Sequence, residues 1–402
     1  MFENIIGHSA IISQLTEDTR SKTLPASLLF TGPAYTGKLS TALELARVLG
    51  CTGKGEWNCS CSSCHSHRYL TNTDLLFAGS RYFLEDIAAA AYALQNTERA
   101  ASWFLFLRSV RKLTRRFDPV MWEGNESRLS KIRTPIQALE ETIDGIDPFT
   151  AEYGPEKIGE MIDSVQKNAQ KIVSSKVLDN ISVDQIRKIR YWAHRSGGSN
   201  KSIIIEKIEK LLPSAQNGLL KILEEPPRGI TFILIAQSKT NILSTIKSRV
   251  REYSFQPRKK EEEHQVLEKI FRGTDFYSES LRDFFLAWSK ENRERISEHA
   301  VRFIESVLEP KSGREVLIEE AQQMLEDLAK KNEFDLFLEE IIFLFERLLK
   351  KGGTGTSSWK VSIDRLSKWI ELIHSAKMRV SVYNIAPSLV LESLFYSMRE
   401  VV

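Results

Sequence analysis

Apolar residues in the first 256 positions fall into short runs, and stretches with a three-to-four-residue periodicity separate those runs. The short runs predict buried strands at 28–30, 75–77, 202–205, 231–235 and 252–255. The periodic stretches predict helices over 39–49, 184–195 and 214–225. Because strands and helices alternate in this way, we predict an α/β domain with a parallel sheet of about five strands.

Two regions lack the strand pattern and are helical in character throughout. Residues 84–178 are rich in Ala, Lys, Arg and Glu and precede the next predicted strand, which indicates a helical insertion in the α/β domain. From Pro257 onward only amphipathic helices are predicted. The pattern therefore predicts an α/β domain over 1–256 that contains the insertion, followed by helical domains.

A glycine-rich stretch, GPAYTGK at Gly32–Lys38, joins the first predicted strand to the first predicted helix. Its glycines allow a tight turn that points backbone N–H groups and the helix N-terminus toward an anion. The stretch therefore predicts a phosphate-binding loop with Lys38 against the outer phosphates. The next position normally offers magnesium a hydroxyl group, but Leu39 stands there. The loop is thus either a weakened nucleotide site or the remains of one.

Composition and charge narrow the classes of protein that fit. A chain of 402 residues predicts about two or three domains, and its 42% hydrophobic and 27% charged residues are typical of a folded protein. The 56 basic and 53 acidic residues nearly balance, which disfavours nucleic-acid binding through overall charge. No apolar run has the length of a membrane span and the N-terminus lacks a secretion signal, so we expect a cytoplasmic location and no membrane partner.

All four cysteines of the chain lie close together after the first predicted helix, at Cys51, Cys59, Cys61 and Cys64. In a cytosolic protein such a cluster favours structural zinc over a disulfide framework or free buried thiols. A zinc ion with four protein ligands has no open coordination position, so we expect it to stabilise the fold rather than to catalyse a reaction.

Four stretches together resemble the subunits of the bacterial DNA polymerase III clamp loader, of the delta-prime type or the related gamma/tau type. They are FENIIGH with LLFTGPAYTGK, the cysteine cluster, LLPSAQNGLLKILEEPP at 211–227 with TFILIAQS and Lys247–Arg249 after it, and YNIAPSLVLESL at 383–394. The resemblance implies an AAA+ P-loop domain over 1–256, with a zinc module at 51–67 and the insertion at 84–178. It further implies a helical lid domain over 257–308 and a helical collar domain over 309–402.

The same resemblance implies partners and a shared chemistry. It implies a hetero-oligomer with gamma/tau and delta subunits, which opens a sliding clamp on primer–template DNA. Each ATP then lies at a subunit boundary and is completed by an arginine from the neighbour. The family's usual spacing has one more residue between the second and third cysteines, which keeps His65 or His67 open as a substitute zinc ligand.

Three groups that hydrolysing relatives carry are replaced in this chain. Besides Leu39, Glu206–Lys207 stand where an Asp–Glu pair binds magnesium and polarises water, and Ala236–Gln237 stand where a Thr or Asn senses the γ-phosphate. Glu209 follows about a turn later, and its geometry as a replacement base is unsupported. We therefore expect no intrinsic ATPase activity and no magnesium site, while binding of ATP or ADP stays open.

Other positions match family motifs for binding or completing ATP. Ser248 and Arg249 match the motif that offers an arginine to the neighbouring subunit's ATP, and the alternative is a surface arginine before a strand. Arg293 lies where the lid's second sensor arginine is found, and the alternative is an exposed helix face. The residues of a degenerate nucleotide site are then Gly32, Thr36, Gly37, Lys38 and Arg293.

The insertion carries a basic stretch with an aromatic face, from Trp103 to Arg116. Such a helix can contact DNA phosphates or dock on a partner. The alternative, which we favour, is a helical hairpin whose aromatic side packs within the insertion itself.

These observations favour a delta-prime-like stator that does not hydrolyse ATP and supplies Arg249 to a neighbour. The position of Val402, soon after the predicted collar, agrees with this expectation and not with the longer motor form. The first alternative is an active gamma/tau-type clamp loader ATPase. The second is a stand-alone zinc-containing DNA-binding protein, which the near-neutral charge and the C-terminal helices disfavour.

Overall fold

The structure, a computed structural model, describes most of the chain. The described residues are 1–97, 99–195, 200–271, 280–287, 290–308, 334–350, 359, 361–381, 383 and 385–400. The chain divides into two units, Met1–Trp288 and Ser289–Val402. Each unit has its own hydrophobic core.

Five parallel strands form the sheet of the first unit. They are β1 (Ser27–Thr31), β2 (Leu75–Ala78), β3 (Lys201–Glu206), β4 (Ile230–Ile235) and β5 (Arg251–Ser254). Their spatial order is β2-β3-β4-β1-β5, and every neighbouring pair is parallel. The five predicted strands and the predicted parallel α/β sheet are therefore confirmed.

Helices fill the connections between these strands. They are α1 (Ser9–Arg20), α2 (Lys38–Gly50), α3 (Ser62–Tyr69), α4 (Phe83–Thr97), α5 (Ala100–Thr114), α6 (Pro119–Trp122), α7 (Arg133–Ile143), α8 (Pro155–Ser174), α9 (Val183–His194), α10 (Pro213–Glu224), α11 (Ser244–Lys247), α12 (Lys260–Val266) and α13 (Leu281–Ala287). Short 3-10 turns occupy Arg115–Phe117, Glu126–Leu129 and Ile208–Lys210, and a π-helical turn occupies Leu267–Phe271. The three helices predicted around the sheet, now α2, α9 and α10, are confirmed.

Both faces of the sheet are covered, as continuous apolar strands require. Alternate strand residues such as Leu29, Ile203 and Phe232 pack with α9 and α10 in one core layer. The residues between them, such as Phe30 and Ile204, pack with α1 and α2 in the other layer. The sheet is thus held on both sides, and its carboxyl edge presents the loops that follow the strands.

The insertion forms a helical layer with a core of its own. Residues of α4, α5, α7 and α8 make up one buried cluster. The aromatic side of α5 lies in it, because Trp103 and Phe106 are both fully buried. The structure therefore agrees with the favoured alternative for the insertion, in which this side packs internally.

The second unit is helical in the part that the structure describes. Its helices are α14 (Lys290–Leu308), α15 (Phe334–Lys350), α16 (Ile363–Ser381) and α17 (Pro387–Glu400). Trp369 is fully buried in their core, and its indole N–H donates to the carbonyl oxygen of Met398 at 2.7 Å. Residues 309–333, where the predicted collar begins, lie outside the described residues. The boundaries predicted for lid and collar stay predictions.

The described helices include none that combines the length and the apolar character that a bilayer crossing demands.

Candidate nucleotide site and metal centre

The carboxyl edge of the sheet brings together the positions that the sequence singled out for nucleotide chemistry. A cleft at this edge is lined by the phosphate loop after β1, by residues after β2 and β3, and by residues after β4. Lys38, Leu39, Glu206 and Gln237 are among its lining residues. Because parallel strands end at the same edge, residues up to about 200 positions apart share one site.

The phosphate loop has the backbone that its glycines predict. Gly32 and Gly37 have φ angles of +135° and +87°, which favour glycine. A Cβ atom at Gly32 would lie 2.0 Å from the carbonyl oxygen of Phe255, so the loop passes too close to the end of β5 for any side chain. On its other side, His8 Nε2 lies 2.7 Å from the carbonyl oxygen of Thr36. The loop is therefore held in shape by the N-terminal segment and by the sheet.

The side chain of Lys38 is folded over the loop. Its Nζ donates to the carbonyl oxygen of Gly32 at 2.6 Å and to that of Pro33, and lies 3.2 Å from Thr36 Oγ1. Burial lowers the pKa of Lys38 to about 8. The adjacent Leu39 is only 6% exposed and belongs to the core layer under α2, so its side chain packs on the sheet and offers no oxygen to the cleft.

The carboxylate of Glu206, at the end of β3, is paired within the chain. Arg116 Nη2 donates to Glu206 Oε2, and the Arg116 side chain is fully buried. The same guanidinium donates to the carbonyl oxygen of Ala78 at 2.6 Å and lies over the Phe77 ring. The position that the sequence singled out for magnesium thus holds an ion pair with the insertion side of the domain.

The position expected to sense a γ-phosphate is also occupied by an internal contact. The backbone N–H of Gln237 donates to Glu209 Oε1 at 3.0 Å. Glu209 is 8% exposed, and burial raises its pKa although the Gln237 hydrogen bond opposes that change. Glu209 therefore supports the loop after β4 in the part of the chain that the structure describes.

An aromatic cluster adjoins the phosphate loop. Tyr35, at the tip of the loop, lies against Tyr82 with a centroid distance of 4.5 Å and stacks on Phe285 of α13 at 5.1 Å. Arg258 Nη1 donates to the carbonyl oxygen of Tyr35 at 2.7 Å. The helix after the sheet thus contacts the tip of the loop through Phe285.

Arg249 lies at the other edge of the sheet from the phosphate loop. It precedes β5, whereas the loop follows β1, and these two strands are parallel neighbours. Its Nη2 donates to Glu224 Oε1 at 2.6 Å, and its Nη1 donates to the carbonyl oxygen of Thr245 at 2.8 Å. Ser248 lies beside it, with its Oγ 3.3 Å from Arg249 Nη1. Arg293 lies on α14, and its side chain is outside the described residues.

The four cysteines converge on one point despite their shortened spacing. The sulfur atoms of Cys51, Cys59, Cys61 and Cys64 all lie within 4.8 Å of one another, and the first two are 3.6 Å apart. Tetrahedral zinc with bonds of about 2.3 Å separates its sulfur ligands by about 3.8 Å, so the cluster fits a metal ion of this kind. The described residues place neither His65 nor His67 in the cluster.

Hydrogen bonds around the cluster favour the thiolate form of Cys61, whereas burial raises the pKa of Cys64. The backbone N–H groups of Gly53 and Cys64 point to the sulfur atoms of Cys51 and Cys61 at 3.3 and 3.4 Å. Burial acts to raise the pKa of Cys61, but hydrogen bonds from Cys64 and Thr52 outweigh it and lower that pKa to about 5. The hydrogen bonds thus prepare Cys61, and not the whole ligand set, for the deprotonation that metal binding requires.

Arg47 of α2 joins the metal module to the domain. Its guanidinium is buried, pairs with Glu44 at 2.6 Å, and donates to Cys64 Sγ at 2.9 Å. It also donates to the carbonyl oxygens of Gly55 and Glu56, at 2.7 and 3.0 Å. Partners of this kind, one shell outside the ligands, orient a metal site.

The basic residues of the insertion hold the far end of the same module. Arg108 donates to the carbonyl oxygen of Arg68, and Arg111 donates to that of Tyr69 at 3.1 Å, at the C-terminus of α3. Arg115 donates to the carbonyl oxygens of Asn72 and Leu75, at 3.0 and 2.8 Å. These guanidinium groups therefore bind the carbonyl oxygens at the C-terminus of α3 and in the loop after it. They are engaged within the chain, which disfavours the contact with DNA phosphates that the sequence suggested.

Sequence reasoning missed several residues at the cleft. Arg116 and Arg258 come from distant parts of the chain and bind two residues that line it, Glu206 and Tyr35, and no local pattern marks these arginines. The sequence could have identified Arg81, because this residue comes soon after β2 and the carboxyl ends of parallel strands form the site.

Comparison with known proteins places the chain in a family. The model of the family described as DNA polymerase III, delta subunit, matches residues 7–102 and 156–259, which together are about half of the chain. The stretch between them, 103–155, lies within the predicted insertion and is shorter than it.

Curated relatives over shorter segments of the chain are also subunits of DNA polymerase III. The delta-prime subunit of DNA polymerase III from Buchnera aphidicola subsp. Schizaphis graminum is 44% identical over 73 residues, 18% of this chain and 22% of that protein. The delta-prime subunit from Haemophilus influenzae is 40% identical over 72 residues, 17% of this chain and 22% of that protein. The gamma subunit from the same Buchnera strain is 28% identical over 141 residues, 34% of this chain and 39% of that protein. The chain thus spans about a fifth of the length of the delta-prime relatives it matches.

A solved structure is also similar in part. It is a DNA polymerase III gamma subunit-related protein from Thermotoga maritima, 21% identical, with a TM-score of 0.29, covering 55% of this chain and 80% of that one. The five-stranded parallel sheet, the phosphate loop at its carboxyl edge and the helical regions make an α/β fold of the AAA+ type. The family match and the delta-prime relatives together show that the chain belongs to the DNA polymerase III clamp loader family, as a subunit of the delta-prime type.

Proposed function

We propose that this protein is a stator of the clamp loader, a subunit that does not hydrolyse ATP and instead completes a neighbour's ATP site with Arg249. Its partners are then the gamma/tau and delta subunits, the sliding clamp and primer–template DNA, in the cytoplasm. The observation that carries the proposal is that the phosphate loop is intact, whereas the groups that hydrolysis needs around it are replaced or engaged in contacts within the chain.

Each group needed for hydrolysis is replaced or engaged elsewhere in the cleft. Leu39 packs in the core, Glu206 is paired with Arg116, and the loop after β4 is bonded to Glu209. Magnesium and an activated water both require oxygen ligands that are free to face the phosphates. This arrangement supports binding at most and not hydrolysis.

The position of Arg249 supports a role in another subunit's site. It lies at the amino edge of the sheet, whereas Lys38 lies at the carboxyl edge. A guanidinium at the opposite edge serves a neighbouring chain in a ring or arc, where it stabilises charge on the phosphoryl group being transferred. Its ion pair with Glu224 is partly exposed, since the two side chains are 29% and 54% accessible, so it is a weak restraint.

The cysteine cluster supports a structural zinc ion as part of the same proposal. Four sulfur ligands leave no open coordination position, and both Arg47 and the insertion fix the module to the domain. The residues of this chain then hold the module in place, and the metal supplies the cross-link between its loops.

The test is ATP hydrolysis by the purified chain alone and by the clamp loader reconstituted with its gamma/tau and delta subunits and primed DNA. We expect no turnover by the chain alone. In the complex, Arg249→Ala is expected to slow turnover by a factor of about 10³ at the site it completes. The matched control is Arg133→Ala, an exposed arginine at the start of α7, which should leave turnover unchanged.

Two outcomes would contradict the proposal. Turnover by the chain alone that Lys38→Ala abolishes would instead identify an active gamma/tau-type ATPase, a candidate that the gamma relative favours. An unchanged rate in the complex carrying Arg249→Ala would remove the role in trans.

A further inference from the structure

The cleft beside the phosphate loop contains a buried arginine to which the proposed function assigns no role. Arg81 follows β2 and lines the cleft with Lys38 and Gly37. Its side chain is only 7% exposed. Among the described residues, Nε and Nη1 of Arg81 have no hydrogen-bond partner although both are buried. Buried guanidinium N–H groups without an acceptor are costly, which indicates that an acceptor from outside the chain completes them.

Several donors face the same space. The N-terminus of α2, a helix of 13 residues, begins at Lys38 after a left-handed Gly37, so its first N–H groups point into the loop. Arg258 lies behind the loop and adds positive charge there, while its Nε and Nη1 donate to the carbonyl oxygens of Ile6 and Tyr35. The cleft therefore combines backbone donors with cationic side chains.

The acidic groups nearby are bound mainly to other partners within the chain, so they compensate the positive charge of the cleft only in part. Glu206 pairs with Arg116. Asp86 pairs with Lys112 at 2.7 Å and lies 3.7 Å from Arg81 Nη2. Glu209 is buried and hydrogen-bonded to the backbone of Gln237.

We propose that this cleft binds a diphosphate group without a divalent cation, and that Arg81 supplies the positive charge that magnesium supplies in hydrolysing relatives. The loop and Lys38 hold one phosphate, and the planar guanidinium of Arg81 offers two N–H groups to the other. A diphosphate fits better than a single phosphate because the donors come from two strands, β1 and β2, and not from the loop alone. The ligand is either inorganic pyrophosphate or a nucleoside diphosphate.

The proposal rests on the proposed function in one respect, namely that no magnesium is bound in the cleft. The two proposals can fail separately, because ATP turnover tests the stator role and diphosphate binding to the isolated chain tests the cleft. A chain that binds no diphosphate could still complete a neighbour's site with Arg249.

The experiment is isothermal titration calorimetry of the full chain, with its metal content verified, against inorganic pyrophosphate and against ADP. The buffer is freed of magnesium by a chelating resin, since a soluble chelator would compete for the cysteine cluster. We expect binding without magnesium that added magnesium does not strengthen. Tighter binding of ADP than of pyrophosphate identifies a nucleoside diphosphate as the source. Much weaker binding of ADP identifies free diphosphate, with the Tyr35–Tyr82–Phe285 cluster excluding the base, and equal affinity shows that the cleft recognises the diphosphate group alone.

Variants assign the site to its residues. Arg81→Gln should weaken pyrophosphate binding at least about tenfold, because two charge-assisted hydrogen bonds are lost. Arg81→Lys should recover part of the affinity, since lysine restores the positive charge but lacks the two parallel N–H groups of the guanidinium. The control Arg187→Gln, on the exposed face of α9, should stay within about twofold of the unaltered chain.

Three results would overturn the proposal. They are no binding at millimolar pyrophosphate, binding that requires magnesium, and an Arg81→Gln variant with unchanged affinity. Circular dichroism and metal content show whether Arg81→Gln is folded. If it is not, the magnesium dependence of the unaltered chain still decides the question.

Discussion

The guanidinium of Arg116 forms a buried ion pair with the carboxylate of Glu206, which stands at the end of β3 and lines the cleft beside the phosphate loop. Arg116 comes from the turn after α5, so the insertion side of the domain reaches into the cleft. A buried pair of this kind is stabilising only while both partners are present, since removal of one leaves a charge without compensation.

Removal of the Arg116 side chain should therefore destabilise the first unit. Arg116→Ala is expected to lower the free energy of unfolding by about 3–5 kcal/mol, because Glu206 would remain buried without a partner. The double variant Arg116→Met with Glu206→Leu should lose less, since it removes both charges. Hydrogen exchange of the β3 amides under mild denaturant measures this local stability.

An exposed arginine provides the control for that prediction. Arg128→Ala, in the turn after α6, should change exchange of the β3 amides by no more than about 0.5 kcal/mol. If Arg116→Ala behaved like Arg128→Ala, the ion pair would contribute nothing to the fold of the cleft.

The second prediction concerns the ion pair between Arg249 and Glu224. Because it is partly exposed, we expect it to be worth no more than about 1 kcal/mol. Glu224→Gln should therefore change ATP turnover of the reconstituted complex by less than about fivefold. Arg249→Ala should reduce the same turnover far more, and equal losses in the two variants would show that Glu224 itself acts in the neighbouring site.

The third prediction concerns the metal centre. The purified chain is expected to contain about one zinc ion, by elemental analysis, and Cys61→Ser should lose it. His65→Ala should retain the metal, because that imidazole stacks on Tyr69 with ring centroids 4.5 Å apart and is not part of the cysteine cluster. A His65→Ala chain without zinc would show that histidine, and not all four cysteines, completes the ligand set.

The sequence predicted the elements whose signals are local. The apolar runs gave the five strands, and the Gly32–Lys38 spacing gave the phosphate loop, because strand burial and loop conformation depend on neighbouring residues. Four close cysteines predicted a cluster even though the spacing between Cys59 and Cys61 departs from the family pattern. A single residue less can be absorbed by the loop backbone without moving the sulfur atoms apart.

What the sequence could not predict depends on contacts between distant segments. Arg108 and Arg111 look like surface charges on an amphipathic helix, but they satisfy carbonyl groups at the end of α3, about 40 positions earlier. Arg116 lies 90 positions from Glu206. Such pairings follow from how the insertion packs on the domain, and no periodicity within α5 encodes that arrangement.

The last prediction follows from the pKa of Lys38. Burial lowers that pKa to about 8, Glu209 and Glu206 oppose the change, and Arg258 and Arg81 reinforce it. The protonated amine is the form that binds a phosphate. Diphosphate binding should therefore be at full strength well below pH 8 and should weaken by up to about tenfold per pH unit as the pH rises above 8.

The variant Lys38→Arg separates this effect from the ionisation of the ligand. A guanidinium keeps its proton throughout this range, and so do Arg81 and Arg258, while burial raises the pKa of the nearby Tyr82 to about 12. The ratio of pyrophosphate affinities between the unaltered chain and Lys38→Arg, measured by calorimetry from pH 7 to 10, cancels the ligand's own titration. A ratio that falls above pH 8 identifies Lys38 as the titrating group. A ratio that stays constant would mean that the Lys38 ammonium does not contact the bound phosphate.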